Sequence, residues 1–334
     1  MKRVYLDQNH WVALTRARLG NPDDEGHLGV LALVRAAVEQ GEASFPLSMF
    51  HYIETQNRRD WRSRLDVART MGEISRFHAI APHNRLIDAE TEHALSRVFD
   101  FSTTEPIIPF GYGAAFHSGK RLPDYVIPDE YVGMIPEGVR WHIEEQAKPL
   151  REQLLLSGLP PDQEKEIQKK HPGFDPRAAM RTAAQYAIDQ ENARAARIRQ
   201  GWNKGDRAKR VFAANGFTDN FEVLDRILRR ERIDAQRLYD LGMDGMTDLM
   251  RDIPTLHASV EFQRDRHVSS QKPIEPSDAG DQLAIPPALV YCDIVVTERQ
   301  HAAGMRKLRL DAHFDTIVVH RLNDLPQHLV CTAS

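Results

Sequence analysis

Two short apolar segments near opposite ends of the chain constrain its fold more than any other feature. Residues 2–6, which end in the apolar run Val4-Tyr5-Leu6, and residues 294–297 are typical of buried strands. Asp7 follows the first run, and Glu298 follows the second. Because the carboxyl ends of parallel strands share one edge of a sheet, we expect both acids at that edge, in one domain built from both chain ends.

The order of the other predicted elements indicates an α/β fold with a parallel sheet. A second strand is expected at 43–47, and 77–81 is either a strand or a loop. Apolar spacing and breakers predict helices at 10–19, 28–40, from Ser48 onward, 61–76, 86–98, 281–290 and 300–308, with a last strand at 316–319. Strands that alternate with helices in this way favour helices packed against a central sheet.

The middle of the chain has a different composition. Prolines and glycines interrupt the stretch from 101 to about 137, which indicates an irregular connector. Helical spacing then predominates, most clearly at 142–156, 176–200, 221–241 and 254–267. We therefore predict a discontinuous α/β domain of residues 1–100 and 270–334, interrupted by a mostly helical insertion of residues 101–269.

Composition restricts the class of protein. The chain is 41% hydrophobic and 28% charged, an ordinary globular balance, and no apolar run approaches the roughly 20 residues that span a bilayer. The apparent lack of a signal peptide and the presence of only two cysteines predict a cytoplasmic protein. The net charge of −4 neither indicates nor excludes a nucleic-acid binder.

Further acids fall where they can join Asp7 and Glu298. Glu54 lies about one and a half turns into the helix that starts near Ser48, while Asp281 opens a predicted helix and Asp278 precedes it. Clustered carboxylates repel one another unless a cation holds them, and hard cations such as Mg²⁺ prefer oxygen ligands. Each acid also has an ordinary explanation as a helix cap, an ion-pair partner or a solvated residue.

The same residues carry a family resemblance. The chain has the run Asp7-Gln8-Asn9 after its first strand, Glu54 on an early helix, Asp281 sixteen residues before Thr297, and the sequence Val-Thr-Glu ending at Glu298. This pattern resembles the PIN-domain nucleases over about residues 1–100 and 270–325. In that family the last acid commonly stands two residues after the threonine, which is Arg299 here, so Glu298 is one residue early.

The resemblance implies a PIN-like three-layer fold and metal-dependent cleavage of phosphodiester bonds, most often in RNA. Asp7, Glu54 and Asp281 would hold Mg²⁺ or Mn²⁺, and either Glu298 or Asp278 would complete the site. Asn9 and Thr297 would orient these ligands. By analogy, the protein would be a toxin or defence effector, with a homodimer or an inhibitory protein as a further partner.

Basic residues in the helical middle are candidates for RNA contact. Such a stripe can follow a phosphate backbone, although a solvated helix face has the same composition. The candidates are Arg194, Arg197, Lys204 and Arg207, together with Arg264 and Arg266, which either reach a phosphate or pair with nearby acids.

Two other functions remain open from the sequence. The displaced Glu298 is compatible with a catalytically weak or inactive binding module for nucleic acid or protein. The same carboxylates would also suit a phosphatase or a DNA nuclease. None of the fifteen histidines forms a His-Glu-x-x-His pair, which argues against that type of zinc hydrolase.

Overall fold

The computed structural model describes residues 1–104, 106–116, 133–173, 204–269 and 276–329, with a few isolated positions between 175 and 192. Several side chains within helices, including those of residues 204–211, 264–269 and 276–279, are also outside the described set. The predicted helix at 176–200 falls almost entirely outside it.

A four-stranded parallel sheet lies at the centre of the protein. Its strands are β1 (Lys2–Leu6), β2 (Ala43–Ser44), β5 (Ile294–Val296) and β6 (Ile317–Val319), in the order β2-β1-β5-β6. In the register, Val4 is opposite Ile294 and Leu6 is opposite Val296. The predictions of an α/β fold and of a parallel sheet drawn from both chain ends are therefore confirmed.

Alternating strand residues separate two cores. Val4 and Leu6 point into one core, whereas Tyr5 and Val295 point into the other. The N-terminal helices are α1 (Gln8–Arg18), α2 (Gly26–Glu39), α3 (Met49–Asn57), α4 (Trp61–Ser75) and α5 (His83–Phe99). Burial on both faces explains the continuous apolar sequence of the strands and gives a layered arrangement consistent with a three-layer fold.

The middle of the chain is mostly helical where it is described. Its helices are α6 (Glu137–Ser157), α7 (Pro161–Lys170), α8 (Lys204–Arg230), α9 (Gln236–Tyr239), α10 (Gly242–Arg251) and α11 (Pro254–Ser269). The prediction of one helix at 221–241 is wrong, because Arg232 adopts a left-handed conformation (φ 58°) and the chain turns there. The Ile233 amide donates to the Leu228 carbonyl, which ends α8.

The described part of the proline- and glycine-rich connector, residues 101–104, 106–116 and 133–137, includes regular structure. It contains β4 (Phe110–Tyr112), which pairs antiparallel with β3 (His78–Ile80) in a separate two-stranded sheet, followed by a 3₁₀ turn at Ala114–Phe116. Ala115 and Leu156 are buried in the same core as Val4. Segments of the predicted insertion thus pack directly on the sheet layers.

Four helices complete the C-terminal part: α12 (Pro276–Tyr291), α13 (Arg299–Lys307), α14 (Leu310–His313) and α15 (Pro326–Leu329). α12 and α13 cover the Tyr5 face of the sheet through residues such as Ala288 and Met305. Of the helices in the described parts of the chain, none combines the length and apolarity that a bilayer crossing requires.

Candidate metal centre

Asp7 occupies the carboxyl end of β1 and begins α1. One carboxylate oxygen accepts a hydrogen bond from the Gln8 amide at 2.8 Å, and the other accepts from the Thr297 hydroxyl at 3.0 Å. Asp7 is therefore a helix cap, as its position suggested. Thr297 comes from the neighbouring strand end, so the parallel pairing of β1 with β5 is what fixes the orientation of the buried Asp7 carboxylate.

Asp281 and His301 lie beside Asp7. One potential ligand atom from each of these three residues lies within 4.8 Å of the other two, and an Asp281 carboxylate oxygen is 3.7 Å from His301 Nε2. Asp7 and His301 are buried and Asp281 is partly buried. This group could hold a metal ion.

The prediction that Asp281 opens a helix is wrong. α12 begins at Pro276, so Asp281 is its sixth residue and lies in the second turn. α12 also continues through Pro286 and Pro287. Asp281 nevertheless reaches the site from the side of the helix rather than from its end.

Glu54 approaches the same place from α3. Ser48 caps this helix in a capping box with His51, and Glu54 follows one and a half turns later. Glu54 Oε1 would lie 3.5 Å from a Cβ placed on Gly280. The Glu54 carboxylate is therefore next to the backbone of α12 at the residue that precedes Asp281. Burial, together with the charges of Asp7 and Glu298, raises the pKa of Glu54 to about 7.

Glu298 and Asn9 form a separate contact at the rim of the site. The Asn9 side-chain amide donates to Glu298 Oε1 at 2.5 Å, and both residues are exposed. Glu298 precedes α13 as its N-cap residue, although its side chain makes no capping hydrogen bond. Asn9 thus positions Glu298, while Thr297 positions Asp7.

Two buried aromatic rings, those of Tyr5 and His51, pack next to the carboxylate site. His51 Nδ1 accepts from the Ser48 amide and Nε2 donates to the Leu6 carbonyl, each at 2.8 Å, and burial lowers the His51 pKa to about 4. The Tyr5 ring stacks on His51 with 5.2 Å between ring centroids. The Tyr5 pKa is raised, mainly by burial and then by the charge of Asp7. These two neutral rings keep water away from one side of the carboxylates.

The donor set fits a divalent cation. Two carboxylates and one imidazole whose ligand atoms lie within 4.8 Å of one another suit Mn²⁺ and related ions, and Glu54 offers additional oxygens. Carboxylates gathered at a buried place are also the arrangement that a cation stabilises.

Sequence reasoning missed His301. His301 belongs to no metal-binding sequence motif, and only its position in the sequence could have indicated a role in the site. His301 is the third residue of α13, one helical turn after Glu298, and this turn follows the strand end where acids were expected.

Other predicted residues lie elsewhere or outside the described set. The side chains of Asp278, Arg194, Arg197, Lys204, Arg207, Arg264 and Arg266 are outside it. Asp293 precedes β5 and accepts a hydrogen bond from the Arg3 amide at 2.6 Å, at the end of the sheet opposite to Asp7.

Comparison with known proteins adds no further constraint. No family model matches the chain, and no curated protein or solved structure matches it. Functional assignment therefore depends on the geometry and chemistry of the residues themselves.

Proposed function

We propose that the protein is a PIN-like, metal-dependent endonuclease that hydrolyses phosphodiester bonds in RNA, with Mg²⁺ or Mn²⁺ as its cofactor. The supporting observation is the convergence of Asp7, Asp281 and His301 within 4.8 Å, with the carboxylate of Glu54 close by. Three separate chain segments supply these residues, and all of them reach the carboxyl edge of the parallel sheet, where α/β proteins bind ligands.

Each residue has a role in this proposal. Asp7 and Asp281 provide oxygen ligands, and the hydrogen bonds from Gln8 and Thr297 keep Asp7 in place. Burial first, and then the like charges of Asp7 and Glu298, raise the pKa of Glu54. A bound cation would offset these charges, favour the ionised form of Glu54 and take a further oxygen from it. A bound divalent cation would supply an activated water and a positive charge beside the departing oxygen.

The RNA substrate is the part of the proposal that derives from the family resemblance. The basic residues of the helical middle, Arg194, Arg197, Lys204, Arg207, Arg264 and Arg266, remain predicted contacts to its phosphates. A toxin or defence role, and a homodimer or inhibitory protein partner, likewise remain predictions from that resemblance.

A binding module without catalysis is the second candidate. It is favoured by Glu298, whose exposed carboxylate is engaged by Asn9 at the rim. In this alternative, the protein binds RNA without cleaving it, and substitution of the acids changes only the affinity for the metal.

The test is incubation of the protein with labelled single-stranded RNA or DNA, in Mn²⁺, in Mg²⁺ or in EDTA. We expect cleavage of RNA that EDTA abolishes and that Asp7→Asn reduces by about 100-fold or more, since even residues that merely support a ligand contribute 10- to 100-fold. Asparagine can still cap α1, so the variant should fold.

Asp293→Asn is the matched control, because it changes the same residue type at the opposite end of the sheet. It should cleave as well as the wild-type protein. RNA cleavage that persists in EDTA and in Asp7→Asn would refute the proposal. RNA binding without cleavage under every condition would support the binding module instead.

A further inference from the structure

We infer that His301 is a ligand of the metal and that it makes the centre select Mn²⁺ over Mg²⁺. This inference builds on the metal site of the proposed function, but it concerns which ion binds and through which atom. It does not depend on the identity of the substrate.

The position of His301 is set by packing. The ring lies in the first turn of α13 and is 8% exposed. The Phe262 ring of α11 meets it edge-on, with 5.6 Å between centroids. A histidine held in this way, with Nε2 on the side of Asp281, presents its nitrogen to the carboxylates with little freedom to turn away.

The spacing of the donor atoms suits a shared ion. His301 Nε2 and Asp281 Oδ2 are 3.7 Å apart, which is too long for a direct hydrogen bond. Two donors that each lie about 2.1 to 2.2 Å from an ion, at an angle of roughly 90° to 120°, are about 3.0 to 3.8 Å apart. The observed distance lies within this range, and Asp7 adds a third donor to the same place.

The chemistry of an imidazole decides the selectivity. Mg²⁺ prefers oxygen ligands and retains much of its water, so a nitrogen donor adds little to its affinity. First-row transition ions bind imidazole well, and Mn²⁺ also accepts the carboxylates that fill the rest of the site. Replacing one oxygen by a histidine nitrogen therefore raises the affinity for Mn²⁺ relative to Mg²⁺.

The neighbouring acid shows why a histidine would be needed. Glu298 stands one residue before the position at which the resemblance predicts a carboxylate, and its side chain is exposed and bonded to Asn9. His301 is one turn further along and buried next to Asp7 and Asp281. His301 thus supplies a donor beside Asp7 and Asp281, whereas the Glu298 carboxylate is bonded to Asn9.

The first experiment measures metal binding by the metal-free, full-length protein. Mn²⁺ binding is followed by the electron paramagnetic resonance signal of free Mn²⁺, and Mg²⁺ binding by competition. We expect the wild-type protein to bind Mn²⁺ at least about tenfold more tightly than Mg²⁺, and His301→Asn to lose at least about tenfold in Mn²⁺ affinity but much less for Mg²⁺.

Two variants sharpen the result. His301→Asp supplies a third carboxylate, so the ratio of Mn²⁺ to Mg²⁺ affinity should fall towards one. His78→Asn, which changes an exposed histidine on β3, should bind both ions like the wild-type protein. An unchanged affinity ratio in His301→Asn and His301→Asp would overturn the inference and leave Asp281 and His301 as an ordinary ion pair.

A second measurement uses the wild-type protein and does not depend on how the variants fold. Pulsed electron paramagnetic resonance of bound Mn²⁺ should show modulation from a directly coordinated imidazole nitrogen. Absence of that modulation would overturn the inference even if RNA is cleaved. Its presence in a protein that cleaves no RNA would support the inference while the proposed function fails.

Discussion

Two glutamates, the buried Glu90 and the partly buried Glu54, show how differently one residue type can be used in this protein. Glu90 on α5 is 1% exposed and accepts three hydrogen bonds: from the Thr255 amide at 2.7 Å, from the Thr255 hydroxyl at 2.6 Å and from the Tyr291 hydroxyl at 2.6 Å. Glu54 lies beside other carboxylates, and the charges of Asp7 and Glu298 add to the effect of burial on its pKa.

The difference distinguishes a structural carboxylate from a candidate functional one. Burial still raises the pKa of Glu90, but the three donors around it offset part of that effect, and the network joins the start of α11 to the last residue of α12. The acids around Glu54 repel it, which is unfavourable unless a cation binds. Burial alone does not identify a site; the sign of the neighbouring charges does.

The largest effect is expected from removing the structural carboxylate. Glu90→Ala leaves the Thr255 amide and two hydroxyls without their acceptor and opens a cavity, so the free energy of unfolding should fall by about 3 to 5 kcal/mol. Urea denaturation measures this loss. Metal affinity of the folded fraction should stay at the wild-type value.

Glu90→Gln tests whether hydrogen bonding is the cause. Its amide oxygen can accept from the Thr255 amide, and its amino group can donate to the hydroxyl oxygens, so most of the stability should return. If Glu90→Ala instead weakened metal binding tenfold without loss of stability, the contrast with Glu54 would be wrong.

The second effect concerns pH and the metal-free protein. The pKa of Glu54 is about 7 in the folded state against its ordinary value of 4.5, so the unfolded chain loses this proton first as pH rises. The contribution of Glu54 to the free energy of unfolding is therefore fully present below about pH 4.5. It falls by at most about 3 kcal/mol as the pH rises to 7 or slightly above.

Glu54→Gln should remove this pH dependence and stabilise the metal-free protein at pH 8. Denaturation curves between pH 5 and pH 8 for both proteins measure the difference. Adding Mn²⁺ at pH 8 should raise the melting temperature of the wild-type protein, and more than it does for Glu54→Gln. Parallel stability profiles of the two metal-free proteins would contradict the raised pKa of Glu54.

The smallest effect is expected at the support of Asp7. Thr297→Val removes the hydroxyl that donates to Asp7 while keeping the shape of the buried side chain. Because Asp7 retains the bond from Gln8, Mn²⁺ affinity should fall by about tenfold, at the lower end of the range for residues that support a ligand. Isothermal titration calorimetry measures the change, and a loss above a thousandfold would mean that Thr297 contacts the ion itself.

Much of the sheet could be predicted from the sequence. β5 and β6 are continuous apolar runs and β1 ends in one, because parallel strands are buried on both faces, and such runs are recognisable without knowledge of their partners. Asp7, Thr297 and Glu298 were placed correctly at the strand ends for the same reason.

Helix boundaries and the pairing of β3 were less predictable. α12 begins five residues before Asp281, and helix starts are the least distinct part of a sequence pattern. The helix also continues through Pro286 and Pro287, where residues such as Ile285 and Ala288 pack against the sheet. β4 lies in a connector rich in prolines and glycines and pairs with β3 only through contacts between distant parts of the chain.

The sequence by itself determined that acids stand at the carboxyl edge of a parallel sheet, because strand ends and helix caps are local features. Only the tertiary structure decided which side chains converge. It turned Glu298 outward to Asn9, brought Asp281 in from the side of α12, and placed His301 against Asp7. The physical reason is that convergence depends on how α12 and α13 pack on the sheet, and a rotation of one residue, about 100° around a helix, moves a side chain into or out of the site.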